Sequence, residues 1–262
     1  VTLEDTMEPD RRRERATSFG AAADLYDSAR PTYPADAVAW AFETLGVGRW
    51  RVADIGAGTG IMTRVLVRLG LDVVAVEPDE LMRQRLMTTT PEVEAVPGAA
   101  EDLPFADCTL DAAIAAQSYH WFNRERAHAE LGRAIRPGGV FAAIWNVRDE
   151  SVPWVREYSR IVEGDRGPRG PNEVPADGGH DPEFGGLFTP VEERLFHHES
   201  VQTPAGLIAL LRSRSYYLTA SPERRATLDS GIRELTERHP DLSGRSEFAL
   251  PYVTRVFRAR RG

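Results

Sequence analysis

The chain of 262 residues contains no lysine, so all 32 of its basic side chains are arginine. Cysteine is nearly absent as well: Cys108 stands alone, which excludes an internal disulfide and any cysteine-built metal site. No long apolar run occurs, and nothing reads as a membrane span or as the hydrophobic segment of a secretory leader. The six histidines include no pair at ligand spacing on one helix face, so no metal is expected. Positive charge is in deficit. The formal net charge is −8, and the one basic run, Arg11-Arg12-Arg13, is flanked by acids and reads as a solvated face. Nucleic acid is therefore not an expected partner, because phosphate-backbone binding needs clustered positive charge. These absences fit a cytoplasmic protein. No internal repeat is visible.

The apolar content of 42% is enough, at this length, for one large α/β core. The most informative stretch follows a short strand at 51–55. There the chain reads Asp54-Ile55-Gly56-Ala57-Gly58-Thr59-Gly60. Residues 61–69 then show helical periodicity, with Ile61, Val65 and Leu69 on one face and Gly70 as a stop. Glycine in such a strand-to-helix turn lets a ligand approach the backbone closely, although a turn without a ligand has the same look. A dinucleotide loop, G-x-G-x-x-G, would carry its third glycine where Ile61 stands.

One strand later, residues 72–76 end in Glu77-Pro78-Asp79. A carboxylate at that place in an open α/β sheet can accept from both hydroxyls of a ribose. Alternatively the acids form a solvated turn with Asp79 capping the next helix. Met82 on that helix either covers a base or joins the core. After a short strand at 93–96 comes Gly98-Ala99-Ala100-Glu101-Asp102-Leu103-Pro104-Phe105. A fourth strand at 111–116 leads into Gln117-Ser118-Tyr119-His120-Trp121-Phe122, which stands at the strand end where such sheets bind ligands.

In the order and spacing of these segments the chain resembles the class I S-adenosylmethionine-dependent methyltransferases. The resemblance implies a Rossmann-like α/β fold with a seven-stranded, mostly parallel sheet whose last strand is antiparallel. It implies that the loop of Asp54, Gly56, Ala57 and Gly58 passes under the methionyl and ribose parts of S-adenosylmethionine. It also implies that Glu77, with Pro78 and Met82 beside it, binds the nucleoside, and that Ala100 N–H and the Glu101 carboxylate meet the adenine. Many members have an acid where this chain has Ala99, so Glu101 would bear that recognition alone. Residues 18–34, with Tyr26 and Arg30-Pro31-Thr32-Tyr33-Pro34, resemble the opening of a small-molecule branch. There Arg30 would meet the methionyl carboxylate with Tyr26 nearby; otherwise both pack a helix on the core. Gln-x-x-His-Trp-Phe at 117–122 resembles the signature of the branch that includes trans-aconitate methyltransferase-like enzymes. It puts Gln117 beside the methionyl end, His120 toward the acceptor as general base or positioning group, and Trp121 in the pocket wall. A packed structural histidine is the other reading of His120.

The remaining segments fill out this expectation. Residues 36–45 read as an amphipathic helix, and 124–135 as another, ended by Arg136-Pro137-Gly138-Gly139 before a fifth strand at 140–145. Residues 164–186 are roughly half glycine and proline and read as a lid over the acceptor, or as a surface insertion. Strands are expected at 188–203 and 247–258, with helices at 204–211 and from Ser221 to about 239. Tyr217, in the link at 212–218, is a candidate acceptor contact. The expected divisions are an N-terminal helical cap (1–46), the cofactor-binding core (47–150), a lid insertion (151–187) and the rest of the sheet with its helices (188–262). The expected product is S-adenosylhomocysteine, and the protein is expected to act as a monomer or homodimer on a small molecule. A cyclase or rearrangement enzyme that binds the same cofactor, and a regulatory binding module, are the alternatives.

Overall fold

The computed structural model describes residues 23–163 and 182–262. Seven strands form one sheet in the order β3-β2-β1-β4-β5-β7-β6. They are β1 (Arg51–Ile55), β2 (Asp72–Val76), β3 (Glu94–Val96), β4 (Leu110–Ala116), β5 (Ile135–Arg148), β6 (Glu192–Gln202) and β7 (Phe248–Arg260). The first five run parallel, and β7 lies antiparallel between β5 and β6. This is the Rossmann-like arrangement that the resemblance implies. The central strands are apolar on both faces, as parallel strands covered by helices must be.

The helices are α1 (Ala23–Ala29), α2 (Ala35–Phe42), α3 (Ile61–Arg68), α4 (Glu80–Thr89), α5 (Arg124–Ala134), α6 (Pro153–Glu163), α7 (Pro204–Arg212), α8 (Ser215–Leu218) and α9 (Pro222–Arg238). Their starts follow from local chemistry. Asp79 accepts from Met82 N–H at α4, Asn123 from Arg126 N–H at α5, and Ser221 caps α9 with Pro222 at its first position. One face of the sheet buries Tyr119, Phe141, Trp145 and Phe257; the other buries Leu66, Ile114, Ile144 and Val256 under α2 and α3. A third apolar cluster joins Trp154 and Tyr158 of α6, Leu207 and Leu211 of α7 and Ile232 of α9 to Leu250 and Tyr252 of β7. It sits over the carboxyl edge of the sheet, since Tyr252 pairs with Arg148 at the end of β5.

Three local expectations are corrected. The buried face of α3 is Met62, Val65 and Leu66, not Ile61, Val65 and Leu69. Leu69 has passed the last helical turn and is 37% exposed, while Thr63 turns inward to meet a buried acid. The fifth strand is much longer than 140–145, because Ile135 already pairs with Leu110 and the antiparallel ladder with β7 continues to Arg148. The segment Arg136-Pro137-Gly138-Gly139 therefore lies within the strand rather than closing the helix, with Gly138 at φ +75° where the register shifts. Residues 164–181 of the expected lid, and 1–22 of the expected cap, lie outside the described residues. Phe184, in the described end of the lid segment, is buried against Phe141 at 4.5 Å between centroids.

Candidate cofactor and acceptor site

The glycine turn grows directly out of β1. Gly56 and Ala57 both donate to the carbonyl of Val76, at 2.8 and 3.1 Å, which ties the turn to the end of β2. Gly56 has φ +68°, and a Cβ on it would come 2.7 Å from the Cβ of Ser118. Ser118 is itself fixed there, donating to Ile55 O at 2.6 Å. Gly58 has φ +57°, yet a Cβ on it would meet nothing within 4 Å. So Gly56 is small because the fold is crowded, whereas Gly58 opens onto unfilled space, as a ligand-bearing turn requires. Gly58→Ala should lose about 1–2 kcal/mol of stability from its left-handed backbone, and Gly56→Ala more, because it adds a clash; urea denaturation of the two variants measures the difference.

Two buried acids stand under this turn. Asp54 is fully buried at the end of β1. Its Oδ2 accepts from Thr63 Oγ1 at 2.6 Å, while Oδ1 has no hydrogen-bond partner among the described residues. Burial raises its pKa from 3.8 to about 7; the Thr63 hydrogen bond opposes the shift and the charge of Glu77 adds to it. Glu77, nearly buried at the end of β2, accepts from Gly58 N–H and from Asp79 N–H, each at 2.8 Å. Burial raises its pKa too, against the pull of those two N–H groups. Each carboxylate oxygen of Glu77 keeps a second lone-pair direction. The chain has thus placed two costly carboxyl groups beside an open turn, an arrangement that suits a ligand bearing hydroxyls and positive charge.

The other predicted residues lie on α1 and just after it and on the segments that follow β2, β3 and β4. Pro78 is exposed and Met82 buried behind it; Ala100 is buried. Glu101 accepts from Asn123 N–H at 2.6 Å, which ties the loop after β3 to the start of α5. Gln117 is held at φ +59°, unusual for a side-chain-bearing residue, and its amide donates to Asn146 O at 3.1 Å. His120 and Trp121 share a 3-10 turn, Tyr119–Trp121, with their rings 4.8 Å apart, and Nδ1 of His120 is buried. Arg30 stacks on Tyr26 at 4.5 Å and donates to the Oγ and carbonyl of Ser213, at 3.0 and 3.1 Å.

Tyr217 is brought against α9, where the Arg225 guanidinium lies 5.6 Å from its ring and its hydroxyl meets Asp229. Its neighbour Tyr216 faces the charges of Arg30. Several polar residues at this edge were not singled out from sequence. Asn146 is a hub: it donates to Thr32 O at 3.0 Å and accepts from Thr254 Oγ1 at 2.6 Å, and its Oδ1 lies 3.2 Å from His198 Nε2. At the same edge Arg148 pairs with Tyr252 across β5 and β7, and its guanidinium lies 5.2 Å from the ring of Tyr158. The available signal was the polar residue at an inward position of an otherwise apolar strand, as at Asn146 and Thr254. Among the described residues no cluster of three metal-ligating side chains occurs, and no helix is long and apolar enough to cross a membrane.

Comparison with known proteins agrees with the fold. The profile of the methyltransferase domain matches residues 53–143, from β1 into β5. An uncharacterized methyltransferase of Mycobacterium tuberculosis is 39% identical over 249 residues, 95% of this chain and 97% of that one. One from Schizosaccharomyces pombe is 35% identical over 54% of this chain and 57% of its own length. A solved structure from Anaeromyxobacter dehalogenans, a candidate type II methyltransferase, superposes with a TM-score of 0.64 at 26% identity, covering 88% of this chain and 97% of that one.

Proposed function

This chain belongs to the class I S-adenosylmethionine-dependent methyltransferases, and from that premise we propose that it methylates a small organic acceptor bound between the carboxyl edge of the sheet and the helices α6 to α9. The observation that carries the reading is the open turn at Gly58 with the carboxylate of Glu77 2.8 Å from its N–H. The residues present fit the cofactor: Gly56, Ala57 and Gly58 for its close approach, Glu77 for the ribose, Ala100 and Glu101 for the adenine, Arg30 and Tyr26 for the methionyl carboxylate, Gln117 for the methionyl end. Pro78 and Met82 border the nucleoside. Asp54 supplies negative charge beneath, with one buried oxygen free to accept. When bound, S-adenosylmethionine supplies a methyl group already activated by the sulfonium.

The protein's part is then to align a nucleophile with that methyl and to exclude water. His120 is the middle residue of the turn that follows β4, and an imidazole, whose unperturbed pKa is near neutrality, is suited to take a proton from a hydroxyl or amine acceptor. The ring of Trp121 lies tilted beside it, 4.8 Å between centroids. His120→Ala should lower kcat by about 10²-fold or more with KM little changed, since the base acts only in the transition state. Turnover that survives the change intact removes the base assignment. The function itself is tested by calorimetric titration with S-adenosylhomocysteine, then by a labelled-methyl screen over small acids, phenols and amines. Tight binding without methylated product, but with a rearranged one, favours the cyclase alternative.

A further inference from the structure

Beyond the turn, the carboxyl edge of the sheet holds a second concentration of charge. Arg30 comes from the end of α1, Arg148 from the end of β5, and Arg214 from the link after α7. Arg148 Nε donates to Ser159 Oγ at 2.9 Å and its guanidinium lies 5.2 Å from the ring of Tyr158. Tyr252 is the cross-strand partner of Arg148, and its other side stacks on His198 at 5.5 Å. Among the described residues neither Arg30 nor Arg214 has a carboxylate partner. Arg214 stands near enough to Arg30 to repel it, and the phenol groups of Tyr26, Tyr216 and Tyr252 surround the same guanidinium.

Arg30 and Arg214, half-buried near each other with no carboxylate partner among the described residues, are unfavourably placed, and three further polar groups lie beside them. The hydroxyls of Tyr158 and Tyr252 and the Nε of Arg214 are buried and have no hydrogen-bond partner among the described residues. Both tyrosines are at most 1% exposed. All three groups are donors, and Tyr158 and Tyr252 both feel the charge of Arg214. Buried donors grouped around a positive centre form a cradle whose chemistry suits an anion.

We propose that Arg214, Tyr158 and Tyr252 form an acceptor subsite that holds the carboxylate of a small organic acid. This rests on the functional reading above, in which Arg30 takes the carboxylate of the cofactor, so that Arg214 is left for a second anion. A carboxylate offers four lone-pair directions on two oxygens, enough for a guanidinium and two phenols. The tyrosine rings provide an apolar wall for the organic part. His198 and Arg148 flank the subsite; Asp36 is the acid whose charge reaches His198.

The test uses the protein saturated with S-adenosylhomocysteine and titrates it with benzoate, cinnamate and citrate, with benzamide and inorganic phosphate as controls. At least one carboxylate should bind about tenfold or more tightly than benzamide. Arg214→Gln should weaken that carboxylate about tenfold and leave S-adenosylhomocysteine affinity within about twofold. Tyr252→Phe, which removes only an unpartnered hydroxyl, should weaken it as well while melting no lower than the parent. The proposal is overturned if no carboxylate binds, if phosphate alone binds, or if Arg214→Gln leaves carboxylate affinity unchanged. It is overturned too if the variant loses S-adenosylhomocysteine in parallel, because the anion would then be the cofactor's own. Failure of the parent to bind S-adenosylhomocysteine at all would instead sink the functional reading.

Discussion

Glu77→Ala is expected to bind S-adenosylhomocysteine at least about tenfold more weakly than the parent, and to be less stable as well. The first loss is that of charged hydrogen bonds to a ribose, worth about 1.5–3 kcal/mol, and about 1.4 kcal/mol is a factor of ten. The second follows from the turn itself. Glu77 takes the N–H groups of Gly58 and Asp79, each at 2.8 Å, and alanine leaves both without their acceptor. A donor stranded in this way costs about 1–3 kcal/mol. Glu77→Gln separates the two effects. Its amide keeps one acceptor oxygen, so the turn is partly held, while its NH2 group cannot accept from a hydroxyl. Calorimetry for affinity and urea denaturation for stability should therefore place Gln between parent and Ala on both axes. An alanine variant with parental affinity would remove Glu77 from the nucleoside site.

The second large effect concerns pH. Asp54 in the folded protein keeps its proton up to about pH 7, whereas the unfolded chain releases it near 4. Between those values the native state holds more protons, so stability falls as pH rises from about 4 to about 7 and levels off above. Asp54→Asn removes this slope. At pH 8 the variant should be more stable than the parent by about 2–4 kcal/mol, and at pH 4 about equal to it. Glu77, whose pKa burial also raises, leaves a residual slope of the same sign in the variant. A cationic ligand above these carboxyls favours their charged forms. Binding of S-adenosylmethionine at pH 6.5 should therefore release protons, seen as a binding enthalpy that depends on the buffer, and Asp54→Asn should release fewer. A parent whose melting temperature is flat from pH 5 to 8 would contradict the account of Asp54.

The contrast between the two halves of the site explains what sequence could show. The turn at 54–60 and the acid at Glu77 are neighbours through one parallel pairing, Asp54 with Ala75 and Ile55 with Val76. Their chemistry is written in short runs: a strand pattern, then glycines, then an acid. The same holds for the capping residues Asp79 and Ser221, whose partners lie three positions on. The proposed anion-binding subsite has no such run. Arg148 and Tyr252 meet only because β7 folds back beside β5, and Arg214 reaches them from a link whose position depends on α6 and α9. Each of those residues looks in sequence like an ordinary surface arginine or core tyrosine. Tyr216 and Tyr217 both pack against the third apolar cluster, and nothing in the local pattern of residues 212–218 shows that Tyr217 also lies 5.6 Å from the Arg225 guanidinium.

The placement of β7 bears on how the sheet is assembled. It lies between β5 and β6, two strands that precede it in the chain, and touches both along nearly its whole length. Until residues 248–260 are available, β5 has an unpaired edge and β6 has no neighbour at all. As the polypeptide is synthesised, the amino-terminal strands can associate early, but the molecule must wait for its last-made strand before either edge is sealed. During that interval the apolar β5 edge is open to pairing with other chains. Recovery of folded protein should therefore depend more on the rate and crowding of synthesis than the stability of the finished sheet would suggest.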